Sequence, residues 1–187
     1  EAGVRLTVAV DKVAASGGYM MACVADHIIA APFAIVGSIG VVAQLPNFNR
    51  LLKRMDVDFE LHTAGAYKRT LTLFGENTEA ARDKFRAEIE ETHALFKQFV
   101  GDYRPVLDMA RVATGEHWFG LQALDLKLVD KLQTSDDYLL ARAADAELIE
   151  LRFRRKPRLA QRLSDGLVRL GLSLRRSVEE TTLPRWQ

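Results

Sequence analysis

Short β-rich runs alternate with small-residue helical segments through the first part of this chain, and that alternation constrains the fold more than any other feature. Val4 to Val10 reads as a strand, Gly17 to Ala25 as a helix and His27 to Ala31 as a second strand; Phe33 to Val36 and Ile39 to Val42 are apolar pieces around Gly37-Ser38. Such alternation argues for an α/β domain. Phe48 to Met55 then reads as a helix, Val57 to His62 as a strand, and Gly65 to Gly75 as a loop that carries Lys68. Asn77 or Thr78 supplies the cap of a longer helix, whose apolar positions Ala81, Phe85, Ile89, Leu95, Phe96 and Phe99 recur at helical intervals. Val106 to Ala113 and Leu121 to Leu128 give two more helices, the first stopped by Gly115 and the second introduced by Gly120.

A length of 187 residues suffices for one compact domain with a tail. Nothing in the sequence approaches the ~20 consecutive apolar residues a bilayer crossing needs, so this stretch is not expected to span a membrane itself. Glu1 leads straight into the first strand-like run with no initiator methionine, and the chain is expected to be a piece of a longer protein with its targeting segment upstream. Charge is uneven. From Leu151 onward ten Lys/Arg face three Asp/Glu, a net +7 in a chain of formal net charge +1, which leaves −6 on residues 1–150. Residues 1–150 are therefore read as the main domain and 151–187 as a basic amphipathic segment, with Arg152, Arg154, Arg155, Lys156, Arg158 and Arg162 preceding a leucine-rich run. That segment suits an anionic lipid surface, a neighbouring subunit or a solvated helix face; without interleaved aromatics it does not suit nucleic acid.

The single cysteine, Cys23, rules out an internal disulfide and sits among apolar neighbours as an inert packed thiol does. His27, His62, His93 and His117 are too scattered to seat two metal ligands on one helix face, and no metal is assigned.

Chemistry is most legible at Ala14-Ala15-Ser16-Gly17-Gly18-Tyr19, which places a serine where a loop gives way to a helix, flanked by residues too small to hinder a substrate. The Gly17 N–H there can stabilise an oxyanion formed when Ser16 attacks a carbonyl. Serine is equally a preferred N-cap, and local sequence alone favours the cap. A serine nucleophile needs a base. Lys68 lies in a segment with no acidic residue between Glu60 and Glu76, where burial beside Arg69 would favour the neutral amine that a base lysine requires; a solvated surface lysine is the plainer alternative. His27, after Asp26, invites a Ser-His-Asp reading, but it lies at the far end of the helix begun by Ser16, out of hydrogen-bonding reach. His62 remains a weaker candidate base. Gly37-Ser38-Ile39-Gly40 is a tight backbone passage whose serine serves either the turn or the chemistry.

Ala15-Ser16-Gly17-Gly18-Tyr19, Gly37-Ser38-Ile39-Gly40-Val41, Tyr67-Lys68, Ala113-Thr114-Gly115, Gly120-Leu121-Gln122-Ala123 and Leu128-Val129-Asp130 together resemble, in order and spacing, the S49 (signal peptide peptidase) family. Pro46-Asn47-Phe48-Asn49-Arg50 and the run from His62 to Leu71 point to one branch of it. The likeness runs from about residue 4 to 135. It implies that Ser16 is the nucleophile, that Lys68 activates it, that Ser38 lies beside the lysine and orients it, and that the Gly17 N–H is half of the oxyanion hole. It implies a ClpP/crotonase-type fold of α/β spiral turns assembled into rings, no cofactor, and peptide substrates such as hydrophobic signal-peptide remnants. The family's upstream Ser-Pro-Gly-Gly segment, which supplies the other oxyanion N–H and a substrate-aligning strand, is not in this chain, so a companion segment is expected to complete it. The family's hydrophobic N-terminal anchor implies the bacterial inner membrane, with the catalytic domain on the periplasmic side. Two rivals are a crotonase-like acyl-CoA enzyme, which would use a carboxylate where this chain has a Ser-Lys pair, and a non-catalytic oligomeric scaffold.

Overall fold

The strands of this chain take turns between two sheets. The computed structural model describes residues 3–65 and 67–152. In one sheet β1 (Thr7–Val10), β3 (His27–Ala30) and β6 (Lys131–Leu132) run parallel in the order β1-β3-β6; in the other, β2 (Val13–Ala15) pairs parallel with β4 (Ile35–Gly37), which pairs antiparallel with β5 (His117–Phe119). Parallel neighbours cannot be joined by a tight hairpin and need a crossover. Here the crossover from β1 to β3 is β2 followed by the helix α1 (Gly17–Ala22), so that it delivers a strand to the second sheet on its way. The expected α/β character is thus present as two small sheets with helices.

β3 is central in its sheet, and Ile28, Ile29 and Ala30 are all fully buried, the continuous apolar run of a strand covered on both faces. The core gathers around it with Tyr19, Val36, Ile39, Val100, Val112, Leu128 and Val129. Cys23 is fully buried there and its Sγ–H donates to the Met20 carbonyl at 3.2 Å, in keeping with a packed thiol.

α2 (Asn49–Arg54) falls within the expected helix, and α3 (Glu79–Tyr103) starts where Thr78 Oγ1 accepts the Ala81 N–H at 3.2 Å. Asn77 does not cap; it exchanges two hydrogen bonds with the backbone of Thr72. The inner face of α3 runs through Phe85, Ile89, His93, Phe96 and Val100, while Leu95 turns to solvent.

Three expectations need correction. Val57–His62 is not a strand: every residue in it is exposed and, among the described residues, no strand pairs with it, so β-propensity has no ladder to join there. The helix expected over Val106–Ala113 shrinks to α4 (Met109–Val112), because the Asp108 carboxylate accepts the Ala110 N–H and starts the helix there. Val13–Ala15, assigned to no element from sequence, is β2. The helices α5 (Gly120–Asp125) and α6 (Ser135–Arg142) complete the main unit, residues 1–146. Gly120 is dictated by packing: a Cβ there would lie 2.2 Å from the Ala31 carbonyl oxygen. From Glu147 the chain forms a separate unit, and the basic helical tail expected over 151–187 lies, apart from its first two residues, outside the described residues.

An ion pair between a buried arginine and a partly exposed aspartate ties the elements behind the core. Arg104, at the end of α3 and 7% exposed, grips Asp130 with two hydrogen bonds of 2.8 and 3.0 Å and donates a third to the Lys127 carbonyl at 2.9 Å. Asp130 also accepts the Ile28 N–H at 2.7 Å. Burial opposes its charge, but the hydrogen bonds from Arg104 and Ile28, with the charges of Arg104 and His27, outweigh burial and hold the carboxyl below its usual range. Replacing Arg104 by Met leaves this partly solvated carboxylate without its counter-charge, and urea unfolding at pH 7 should show a loss of about 2–3 kcal/mol. Because the folded pKa is depressed, Asp130 contributes fully above the unfolded value near ~4 and loses that contribution as the pH falls through the folded one. The gap between wild type and Arg104→Met should therefore narrow at pH 3.

Candidate active site

Ser16 is the single residue between β2 and α1, and its backbone serves both. Its N–H donates to the Gly37 carbonyl at 2.8 Å, extending the β2–β4 ladder, and its carbonyl accepts the N–H groups of Tyr19 (2.9 Å) and Met20 (3.0 Å), opening the helix. At this junction Ser16 stands at φ 52°, ψ −121°, the region of the first central residue of a type II′ turn, which glycine dominates.

The Ser16 side chain makes no capping hydrogen bond. By contrast Thr78, Asp108 and Thr134 have negative φ and extended ψ, and their side chains accept first-turn N–H groups at 3.1–3.2 Å. The cap reading of Ser16 therefore fails on geometry. A strained residue with a spare hydroxyl at a sharp strand-to-helix turn is the arrangement that displays a nucleophile.

Small residues keep the approach to that hydroxyl open: a Cβ built on Gly17 or Gly18 would meet nothing within 4 Å. Tyr19 fastens the short helix from behind. It is fully buried, and its hydroxyl donates to the Leu128 carbonyl at 2.8 Å. Burial pushes the phenol well above its ordinary pKa, so it stays a donor.

Ser16, Gly17 and Ser38 line one cleft of about 820 Å³, closed on the far side by Thr92, His93, Phe96 and Phe99 of α3 and floored near Gly40, Thr114 and Gly115. Ser38 also has positive φ, 52°, and its N–H donates to the Glu116 carbonyl at 2.7 Å. Next to it the chain crosses itself closely, since a Cβ on Gly40 would stand 2.7 Å from the Gly115 Cα. Sequence motifs far apart in the chain thus meet because backbone packs on backbone.

Lys68 does not line this cleft. It lies exposed in a local turn, its N–H donating to the Gly65 carbonyl at 3.2 Å, and the expected burial of its loop is not met within one chain. Residues 72–75, just after the turn, are pinned to the start of α2: Asn47 donates to the carbonyls of Thr72 and Gly75, Asn49 to that of Phe74, and Phe74 packs against Phe48 and Phe59. The turn itself is tied only lightly to α3: Lys84 Nζ lies 5.4 Å from the centre of the Tyr67 ring, and Thr70 Oγ1 donates to the Glu88 carboxylate at 3.4 Å. His27 faces Asp130 at 3.6 Å, and the His62 side chain is 87% exposed beside Glu60, so neither is brought to Ser16. The histidine that does reach the cleft is His93, which the sequence reading weighed as a metal ligand and left without a role. Its signal was its place: a polar residue in register with Phe85, Ile89, Phe96 and Val100 on the inner face of α3.

Two small sheets with helices, and a serine at a strand-to-helix turn over a cleft, define the class: an α/β chain with one candidate site. The model of Peptidase family S49 matches residues 1–149, and the chain belongs to that family. It is 59% identical over 160 residues to "Probable protease SohB" of Haemophilus influenzae, covering 86% of this chain and 45% of that protein. Two proteins of the same name from Buchnera aphidicola are 65% identical over 142 residues (subsp. Schlechtendalia chinensis, 76% of this chain and 47% of that one) and 57% over 162 (subsp. Acyrthosiphon pisum, 87% and 48%). This is the branch to which the runs Pro46–Arg50 and His62–Leu71 pointed. The chain spans about half the length of these relatives.

The backbone of Ser16 gives a test independent of activity. Ser16→Gly in the intact protein should raise stability by about 1 kcal/mol in urea unfolding, as positive φ is relieved against a more flexible unfolded chain. A capping serine replaced by glycine would instead lose a few tenths of a kcal/mol.

Proposed function

We propose that this chain is the catalytic part of a serine endopeptidase that cleaves peptides with a Ser16–Lys68 dyad. The observation that carries the reading is the Ser16 backbone, strained at a strand-to-helix turn over the cleft, with its hydroxyl bonded to no partner among the described residues. Lys68 accepts the Ser16 proton as Oγ attacks the scissile carbonyl, the Gly17 N–H takes part of the charge on the oxyanion, and Lys68 returns the proton to the departing amine. Water activated by Lys68 then releases the acyl group. Ser38, on the same cleft wall as Ser16, orients the lysine. No cofactor enters the scheme.

A base lysine works as the neutral amine and so has to leave water. The Lys68 turn is exposed in the single chain, along with Val57, Phe59, Leu61 and Tyr67 of the same segment. In a homo-oligomeric ring a neighbouring copy covers these side chains, and the Lys68 turn of one copy reaches the cleft of the next. The alternation of β1, β3 and β6 with β2, β4 and β5 between two sheets supports a ClpP/crotonase-type spiral. Substrates are hydrophobic peptides of the signal-peptide kind, which the apolar side chains of Met20, Val41, Phe96 and Phe99 in the cleft suit. Among the described residues no helix is long and apolar enough to cross a membrane, so the proposed setting at the bacterial inner membrane, with the catalytic domain periplasmic, rests on an anchor elsewhere and on the basic segment 151–187. The domain division near residue 150 belongs to this reading. The acyl-CoA enzyme and the inert scaffold are not favoured by membership in a peptidase family.

Fluorophosphonate labelling of the full-length protein tests it. Ser16→Ala should abolish labelling and peptide cleavage, and Lys68→Ala should slow both by at least ~10³-fold, with no rescue by Lys68→Arg. Labelling undiminished in Lys68→Ala refutes the dyad. Co-expressed Ser16→Ala and Lys68→Ala chains should recover part of the labelling, and their failure to do so would show that each copy supplies its own lysine.

A further inference from the structure

His93 belongs to no part of the scheme above, yet it stands in the cleft with Ser16 and Ser38. Its Nε2 lies 3.2 Å from the Ile39 carbonyl oxygen. A carbonyl can only accept, so Nε2 carries the proton and donates. The Ile39 carbonyl also accepts the Gly115 N–H at 3.1 Å, so one oxygen receives a donor from α3 and another from the segment leading to β5. Ile39 itself is fully buried, and its backbone follows directly on Ser38.

The consequence runs along the turn. Gly37 holds the Ser16 N–H through its carbonyl, Ser38 donates to Glu116, and Ile39 is held by His93 and Gly115. Three consecutive residues therefore fix the nucleophile's own backbone, the second serine and the cleft wall. His93 supplies the one side-chain bond in this set that comes from α3, the opposite wall. The rest of the inner face of α3 nearby, Ile89 and Phe96, is apolar and can hold distance without fixing register along the helix.

We propose that His93 is a positioning residue for the reaction of Ser16: its Nε2–H holds the Gly37–Gly40 turn against α3 and so sets where Ser16 and Ser38 stand relative to the far wall of the cleft. This rests on the reading of Ser16 as nucleophile. It does not make His93 a base, because the nitrogen in question is spent on a carbonyl.

The test uses His93→Gln and His93→Asn in the full-length protein. A glutamine amide places an N–H donor where Nε2 stands, whereas an asparagine amide falls short, near Nδ1; both are polar and of similar size. Inactivation by a fluorophosphonate is resolved into a reversible binding constant and a maximal rate, with a thermal melt of each protein. The expected result is a maximal rate within about threefold of wild type for His93→Gln and lower by about tenfold for His93→Asn, the binding constant staying within about twofold in both. Equal rates in the two variants, or a loss confined to the binding constant, overturns the positioning role while Ser16 remains the nucleophile. A wild-type protein that takes no label overturns the reading of Ser16 and the positioning role with it. Hydrogen exchange of residues 37–41 gives a readout that does not depend on labelling: protection should fall in His93→Asn and persist in His93→Gln, and identical exchange in the two refutes the clamp.

Discussion

The hydrogen bond from the Ser16 N–H to the Gly37 carbonyl is the contact on which the site depends. It is the last rung of the parallel β2–β4 ladder, and it falls on a residue whose carbonyl is already committed to the first turn of α1. Ser16 takes positive φ at this junction, whereas the N-caps Thr78, Asp108 and Thr134 stay extended. The strain thus sits at a residue in which a ladder ends and a helix begins. Because β4 is held on its other edge by β5, the same rung also transmits the position of the Glu116 region to Ser16.

A six-residue helix does not stand by itself, and the helix propensity of Gly17-Gly18 is poor. The polar tethers behind the core answer this. Tyr19 is bonded to Leu128, two residues before Asp130; Asp130 is bonded to Arg104 at the end of α3 and to Ile28 in β3. The helix after Ser16, the long helix that forms the opposite cleft wall and the central strand thus share one connected set of hydrogen bonds. A charge pair of this kind is a weak source of net stability but a strong source of register, since any slip leaves the buried guanidinium unpaired.

The order of the early elements was legible because burial and periodicity coincide there: His27–Ala30 is apolar and central, and it was read nearly to the residue. Val13–Ala15 was invisible, since three small residues carry no period and become a strand only through Ile35–Gly37. Val57–His62 shows the converse, a strand composition that finds no partner. At the site, Ser16, Gly17 and Ser38 were legible as motifs, and the structure places the three on one cleft. Whether Ser16 capped a helix was not legible, because that depends on a φ angle set by a ladder whose partner lies twenty-one residues on. His93 was missed for the same reason: its partner is a backbone carbonyl, and no side-chain motif marks a carbonyl.

Lys68 is the instructive case. An ammonium carried into an apolar cleft of a single folded chain, with no carboxylate beside it, would lose its hydration without a counter-charge, a cost of several kcal/mol. Leaving the lysine in water on a weakly supported turn avoids that cost while the chain is alone. On the dyad reading the desolvation that makes lysine a base then comes with the covering of Val57, Phe59, Leu61 and Tyr67, whose apolar surface contributes roughly 25 cal/mol per Å² as it leaves water. The serine side of the site needs no such help, since its constraint lies in backbone hydrogen bonds already made. On the dyad reading a preorganised nucleophile and a deferred base follow from one physical difference: a strained hydroxyl is neutral and can be held ready, whereas an unpaired cation cannot be buried until its removal from water is offset by something else.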